Sequence, residues 1–271
     1  MTERDGFEPG VPSWVDTLQP DVEAARRFYA GIFGWEFVGP GPMPEGGEYH
    51  VARLRGRDVA AVGSQPPGGA APAWNTYLEV ESADQTAQKA QGAGGAVAVA
   101  PVDAGAAGRI AVLSDPAGAA FAVVEPGERK GAQIVNEPGA YAMSQLNTRD
   151  PEGAKAFYGE VFGWTTESFD MGSGEFTMFR LPGYVGGTPT QPVSREVVAV
   201  MFPMGDQFPT EVPPHWGVNF WHADADGAAA KAAELGGEVR VEPHDTPGFR
   251  ETVLVDPAGA PFSVSQLKIG D

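Results

Sequence analysis

Hydrophobic and polar positions alternate in short stretches and then change to a helical spacing. The stretch at 13–18, SWVDTL, predicts a short strand. Apolar residues then recur three and four positions apart, at Val22, Ala25, Tyr29 and Ile32. Asp21 is placed to cap this predicted helix, and Gly34 to end it in the left-handed conformation. Strands predicted at YHVARL and VAAVG follow. The next stretch shows the full order, with a strand at NTYLEV, a helix at ADQTAQKAQGAG and three strands around GAVAVA, RIAVLS and AAFAVV, so the unit is βαβββ.

The same order of elements is predicted four times, at about residues 11–65, 72–126, 139–200 and 213–267. The stretch at 127–138 is rich in polar residues and reads as a linker. We therefore expect an α+β protein of two tandem domains, 1–126 and 139–271, each built from two βαβββ modules.

Two motifs are written almost identically in both halves. FYAGIFGW at 28–35 returns as FYGEVFGW at 157–164, which is an offset of 157 − 28 = 129 residues. RIAVLSDPAGAAFAV at 109–123 returns as RETVLVDPAGAPFSV at 250–264, at an offset of 250 − 109 = 141 residues. The chain therefore carries a domain duplication, and the second copy has gained about a dozen residues.

The proline-rich stretch MFPMGDQFPTEVPP, near 201–214, is the predicted place of this insertion. Its apolar residues include Phe208, which we expect to contact a ligand. Long loops in compact domains tend to have a function, so this stretch is either a lid over a cavity or a seal between the domains.

The amino-acid composition limits the classes of partner and the cellular compartment that we expect. The formal net charge is −18, which disfavours nucleic acid and anionic lipid surfaces as partners. The chain has no Cys, so disulfides, thiolate metal sites and cysteine nucleophiles are excluded. No apolar run is long enough for a membrane span. We expect a cytoplasmic monomer or homodimer that has a small-molecule ligand as its partner.

The order of elements, the FYxxxFGW motif and the DPxGxxF motif together resemble the vicinal oxygen chelate superfamily. That superfamily includes glyoxalase I, extradiol dioxygenases and bleomycin-resistance proteins. More narrowly, the chain is similar to two-domain actinobacterial proteins of hydroxylase-like or glyoxalase-like type. The resemblance covers about residues 11–267 and implies four modules in two tandem domains, each curled around a ligand cavity.

The resemblance also implies where a divalent metal would be held. The three ligand positions correspond to Trp14, Asn75 and Ala122 in the first half. In the second half they correspond to Met143, Gly217 and Ser263. These residue types do not form a set of ligands for a catalytic metal ion. The four histidines are expected to lie off the cavity, with His215 exposed to solvent. We therefore expect no metal and no cofactor.

Residues in step with these positions along each strand are expected to face the cavity. The predicted ligand-binding residues are Trp14, Asn75, Tyr77, Met143, Gln145, Asn147, Asn219, Trp221, Ser263 and Phe208. Asp16 and Glu79 are the candidate acid/base pair, because a carboxylate between apolar walls has its pKa raised. The alternative is that either carboxylate forms a structural pair with an arginine or a turn amide. Four tryptophans on these strands, Trp14, Trp74, Trp216 and Trp221, either belong to the core or suit a flat aromatic ligand.

Three hypotheses about function follow. The first is metal-independent binding of a small, flat or aromatic molecule, for sequestration, resistance or an accessory role in biosynthesis. The second is a metal-free tailoring enzyme, such as a hydroxylase-like protein, isomerase or lyase, with Asp16 or Glu79 as its base. The third is a glyoxalase or dioxygenase with a relocated metal site. Binding of a ligand without turnover distinguishes the first from the second.

Overall fold

The fold of the N-terminal half is an eight-stranded mixed sheet with two helices. The computed structural model describes residues 3–43, 46–170, 175–186, 195–206 and 208–268. The strands of this half are β1 Pro12–Gln19, β2 Glu36–Pro42, β3 Glu48–Leu54, β4 Arg57–Ser64, β5 Trp74–Glu79, β6 Ala96–Asp103, β7 Gly108–Ser114 and β8 Ala120–Pro126. The helices are α1 Val22–Phe33 and α2 Ala83–Gly92.

The C-terminal half repeats this arrangement. Its strands are β9 Tyr141–Thr148, β10 Thr165–Asp170, β11 Glu175–Arg180, β12 Val197–Pro203, β13 His215–Trp221, β14 Glu238–Thr246, β15 Phe249–Val255 and β16 Pro261–Leu267. Its helices are α3 Pro151–Phe162 and α4 Ala225–Glu234. The strand orders are β2-β3-β4-β1-β5-β8-β7-β6 and β10-β11-β12-β9-β13-β16-β15-β14. These equivalent orders confirm the predicted α+β class and the four βαβββ modules.

The residues predicted to cap the helices do so in the structure. The side chain of Asp21 accepts a hydrogen bond from the Ala24 backbone N–H at 2.9 Å, and Asp150 does the same for Gly153. Gly34 ends α1 at a φ of 70°, a conformation that glycine adopts without a steric cost. The two FGW motifs therefore follow equivalent helix ends.

Each hydrophobic core is shared between the halves. One core contains α1 and α4, and Phe28 of the first half packs edge-to-face on Phe262 of the second, with ring centroids 6.2 Å apart. The other contains α2 and α3, where Phe157 packs on Phe121 at 6.2 Å. The helices thus pair across the halves, whereas each sheet is built within one half.

The repeated motifs form this interface. Trp35 Nε1 donates to the carbonyl oxygen of Gly139 at 2.7 Å, and Trp164 Nε1 donates to that of Gly10 at 2.9 Å. Each glycine lies just before the first strand of the other half. The FYxxxFGW sequence therefore appears twice because each copy binds the other half.

The extra residues of the second half lie mainly before the stretch that we predicted. The β3–β4 turn consists of residues 55–56, whereas the β11–β12 connection spans residues 181–196. The stretch at 201–214 begins inside β12, because Val197 to Pro203 pair with the neighbouring strands. Only its remainder, 204–214, connects β12 to β13. Gln207 of this connection is outside the described residues, as are residues 171–174 and 187–194.

Candidate functional site

Each sheet has one face that packs on the helices and an opposite face, which we call the cavity face. In the second half, Phe220 and Val264 belong to the core that contains α4. Side chains alternate along a strand, so Asn219, Trp221 and Ser263 lie on the cavity face. The strand pairing places Met143 opposite Asn219 and Gln145 opposite Gly217, which brings the predicted residues of β9, β13 and β16 together.

The N-terminal cavity face is organised around Asp16, whose side chain is 1% exposed. Its carboxylate accepts hydrogen bonds from Tyr49 Oη and Tyr77 Oη at 2.8 Å and from Asn75 Nδ2 at 2.9 Å. Trp14 Nε1 donates to Tyr49 Oη at 2.9 Å. Burial raises the pKa of Asp16 above its ordinary value, and the three donors oppose that rise. The structure thus supplies three neutral donors for Asp16, where the sequence analysis considered an arginine or a turn amide.

Glu79 lies on the same face and has a different environment. Its side chain is 6% exposed, and its Oε2 atom is fully buried without a hydrogen-bond partner among the described residues. Burial raises the pKa of Glu79 to about 7, and the charge of Lys130 opposes the rise. Glu79 is therefore suited to exchange a proton near neutral pH.

In the C-terminal cavity face, the amide of Gln145 takes the central place. Gln145 Nε2 donates to Ser263 Oγ at 3.0 Å. A Cβ atom at Gly217 would lie only 3.2 Å from Gln145 Cγ and Nε2, so the side chain passes directly over this glycine. Gln145 corresponds to Asp16, because the two residues are separated by the 145 − 16 = 129 positions of the FYxxxFGW repeat.

Further polar side chains extend this face in both directions. Asn219 Nδ2 donates to Ser265 Oγ at 2.7 Å, and Ser265 Oγ donates to Glu251 Oε1 at 3.1 Å. Asn147 Nδ2 lies 3.3 Å from His215 Nε2. His215 pairs with Asn147 across β9 and β13 and is partly exposed, so it is in step with the predicted cavity residues, whereas we expected it to lie off the cavity.

Aromatic side chains flank these amides. Trp221 and Phe249 lie at one end, with ring centroids 6.3 Å apart. At the other end Phe176 packs on Phe202 at 5.2 Å, and Phe202 is 38% exposed. Phe202 shares its face with Asn147, because the two residues are paired between β12 and β9. An apolar ligand thus has aromatic surface at both ends of a polar strip.

The predicted residue Phe208 lies beside this strip. Its ring centroid is 6.3 Å from that of His215. The loop that carries Phe208 is held by Arg149, whose Nη2 donates to the carbonyl oxygens of Pro209 at 2.8 Å and Val212 at 3.4 Å. This contact places the loop at the Asn147 end of the C-terminal cavity face.

Of the four tryptophans that the sequence analysis assigned either to the core or to a ligand site, two belong to the core. Trp74 Nε1 donates to Tyr29 Oη at 3.0 Å, and Trp216 Nε1 donates to Tyr158 Oη at 2.9 Å. Both indoles are buried against the helices, because they are one residue out of step with the cavity positions. Trp14 and Trp221 are the tryptophans that remain on the cavity faces of the described chain.

The residues at the metal positions do not fit a divalent ion. Trp14, Ala122, Met143 and Gly217 offer no oxygen or imidazole ligand, and Asn75 and Ser263 are engaged by Asp16 and Gln145. Across the described ranges, no group of three His, Cys, Asp or Glu side chains is placed to hold a metal. These six residues therefore do not supply the ligand set that the resemblance implies.

Several residues of these faces were missed from the sequence. His215 is in step with Gly217 and Asn219 on β13, so continuing the alternation by one step would have found it. Tyr49 and Glu251 reach the faces only through strand pairing that sequence periodicity does not specify.

The chain belongs to the glyoxalase/bleomycin resistance/dioxygenase superfamily. Residues 13–123 match the Glyoxalase/Bleomycin resistance protein/Dioxygenase superfamily, and residues 143–265 match the Glyoxalase-like domain. None of the helices in the described ranges has the length and apolar character needed to cross a membrane.

Curated relatives match over nearly their whole length. CFP32 of Mycobacterium tuberculosis, provisionally named a glyoxylase, is 39% identical over 97% of both chains. The anthracycline biosynthesis protein DnrV of Streptomyces peucetius is 34% identical, over 97% of this chain and 96% of that protein.

Solved structures show the same fold at low identity. The Mn(II)-bound glyoxalase from Novosphingobium aromaticivorans has a TM-score of 0.65 at 18% identity, covering 97% of this chain and 84% of that one. BphC, a halotolerant catechol dioxygenase, has a TM-score of 0.61 at 13% identity, covering 97% and 89%.

Proposed function

We propose that this protein binds a small, flat, aromatic molecule on its C-terminal cavity face without a metal ion. The role would be sequestration, resistance or an accessory step in biosynthesis. The observation that carries the proposal is the position of Gln145, whose amide contacts Ser263 and passes over Gly217. A neutral amide therefore lies between the positions where the superfamily's fold would place a metal.

The surroundings of Gln145 support an aromatic ligand. Trp221 and Phe249 at one end, and Phe176 and Phe202 at the other, offer ring faces and edges on which a flat molecule packs well. Hydrogen-bonding side chains lie between these ends. Two curated relatives named for anthracycline biosynthesis agree with a ligand of this kind.

The C-terminal face is the better candidate of the two. In the N-terminal face, Asp16 already receives three hydrogen bonds, and the Arg129 guanidinium lies 5.8 Å from the Trp14 ring centroid. The linker therefore covers part of that face. The predicted ligand-binding residues of the first half, Trp14, Asn75 and Tyr77, are occupied largely by this internal network.

A metal-free enzyme is the second candidate, and Glu79 favours it. Its unpartnered, buried Oε2 atom and a pKa of about 7 suit a general base. Asp16 suits that task less well, because all of its donors would have to rearrange before its carboxylate reached a substrate. A base at Glu79 would place the reaction on the N-terminal face.

Calorimetric titration with flat aromatic compounds tests the proposal. Trp221→Ala should weaken binding by about 2 kcal/mol, or roughly thirtyfold, as expected for an aromatic anchor. Trp14→Ala is the matched variant in the other half and should leave the affinity nearly unchanged. If only Trp14→Ala weakens binding, the ligand is on the N-terminal face, and if neither does, the proposal fails.

A further inference from the structure

The amide of Asn219 has a fixed orientation on the C-terminal cavity face. A carboxylate can only accept hydrogen bonds, so the single proton of Ser265 Oγ is donated to Glu251 Oε1 at 3.1 Å. Ser265 Oγ must then accept from Asn219, and the atom 2.7 Å away is Nδ2. The Asn219 carbonyl oxygen is therefore directed away from this chain of hydrogen bonds.

The amide of Asn147 is oriented by a second, independent chain. His215 Nδ1 lies 2.8 Å from the carbonyl oxygen of Pro213, which can only accept, so Nδ1 carries the proton. In the neutral ring Nε2 is then an acceptor, and Asn147 must offer its Nδ2 atom to it. The Asn147 carbonyl oxygen is left for another partner.

Gln145 agrees with this pattern, because its Nε2 donates to Ser263 Oγ and leaves its Oε1 free. Three neighbouring amides thus use their nitrogen atoms within the protein. None of their oxygen atoms accepts a hydrogen bond from a residue in the described part of the chain. The side chains of Asn147 and Asn219 are 7% and 8% exposed, and that of Gln145 is half-buried.

These oxygens are spaced along the strip. Asn147 is paired with His215, and Asn219 lies four residues further along β13. At a rise of about 3.4 Å per residue, the two ends are separated by about 14 Å, with Gln145 between them. This span suits a ligand of several fused rings with polar groups along one edge.

We infer that the ligand is a fused-ring aromatic compound that carries hydroxyl groups as hydrogen-bond donors on the edge facing Asn147, Gln145 and Asn219. The inference rests on the proposed function and defines the class of ligand more narrowly. A row of amide oxygens pairs with phenolic hydroxyls. A compound whose edge carries only ethers or carbonyls would leave these acceptors unpaired.

Calorimetry with two compounds of one ring system tests the inference. The probes are 2,7-naphthalenediol, whose two hydroxyls lie towards the same long edge of the ring system, and its dimethyl ether. We expect the diol to bind at least about tenfold more tightly than the ether. The ether makes the same ring contacts, but it buries the amide oxygens without a hydrogen-bond donor, which costs binding free energy. Equal affinities, or tighter binding of the ether, would overturn the inference and leave the proposed aromatic site intact. If neither compound bound, both proposals would fall.

Two variants show whether the oriented amide is responsible. Asn219→Leu keeps the approximate volume and should reduce the preference for the diol several-fold. Ser265→Ala should also reduce it, because the Asn219 amide is then free to turn its nitrogen towards an ether oxygen. Gln91→Leu, an exposed amide on α2, is the control and should keep the full preference. An unchanged preference in both Asn219→Leu and Ser265→Ala would contradict the assignment.

Discussion

The hydroxyl of Tyr29 donates a hydrogen bond at 2.8 Å to the carboxylate of Asp256, a residue 227 positions further along the chain. An equivalent pair joins the halves in the opposite direction: Tyr158 Oη of the second half donates to the carboxylate of Asp115 in the first half at 3.2 Å. In both pairs the tyrosine belongs to an FYxxxFGW motif and the aspartate to a DPAG turn of the other half. The two most repeated motifs are therefore partners in one interface.

Removal of either hydroxyl should destabilise the protein. Tyr29→Phe leaves the buried Asp256 with one donor fewer and Trp74 Nε1 without its acceptor. We expect a loss of about 1–3 kcal/mol in the free energy of unfolding, measured by denaturant titration. Tyr158→Phe is the matched variant and should lose a similar amount. Stabilities equal to that of the parent in both variants would contradict the importance of these bonds.

The halves should also depend on each other for folding. Each core combines helices of both halves, so residues 1–126 or 139–271 alone would expose the apolar faces of two helices. We expect each fragment to lack a cooperative unfolding transition in circular dichroism and to regain one when the two are mixed. Two fragments that fold separately with the parent's melting behaviour would show that the halves are independent domains.

The sequence predicts the four modules because their signals are local. Asp21 and Gly34 mark the ends of α1, and the alternation along each strand assigns the faces. The sequence does not show that Phe28 packs on Phe262, because that contact joins modules at opposite ends of the chain. Pairing between distant modules depends on the docking of whole sheets, which no local pattern records.

For the site, the strand periodicity predicts correctly that Gln145, Asn219 and Ser263 are neighbours on one face of the sheet. Their role in ligand binding stays a prediction. The donors around Asp16 were missed in part, because Tyr49 reaches it from β3 through β4. The sequence leaves the roles of Trp74 and Trp216 open because a tryptophan fits equally well in a core and in a cavity, and only the register separates these roles.

The pKa of Glu79 should make stability depend on pH. It is 4.5 ordinarily and about 7 in the folded protein, so between these values the unfolded chain binds fewer protons than the folded one. The contribution of Glu79 to the free energy of unfolding is therefore fully present below pH 4.5 and is lost as the pH rises towards about 7. Glu79→Gln should flatten this decline and be more stable than the parent at mildly alkaline pH.

The exposed neighbour Glu81 provides the control for that experiment. Glu81→Gln removes the same charge but should leave the pH dependence of stability as in the parent. Denaturant titrations across this pH range give the difference between each variant and the parent. Identical curves for Glu79→Gln and Glu81→Gln would show that Glu79 titrates as an ordinary exposed carboxyl.

The most direct test of metal-free binding is to measure the affinity for an aromatic ligand before and after the protein is treated with a chelator. The protein is titrated calorimetrically with the naphthalenediol as isolated, after dialysis against a strong chelator, and after addition of Mn²⁺, Fe²⁺ or Zn²⁺. Because the proposed site is built around the Gln145 amide, which contacts Ser263 and passes over Gly217, and needs no metal ion, we predict one dissociation constant in all three states. Binding that disappears on chelation and returns with one of these ions would contradict the account and would instead indicate a relocated metal centre.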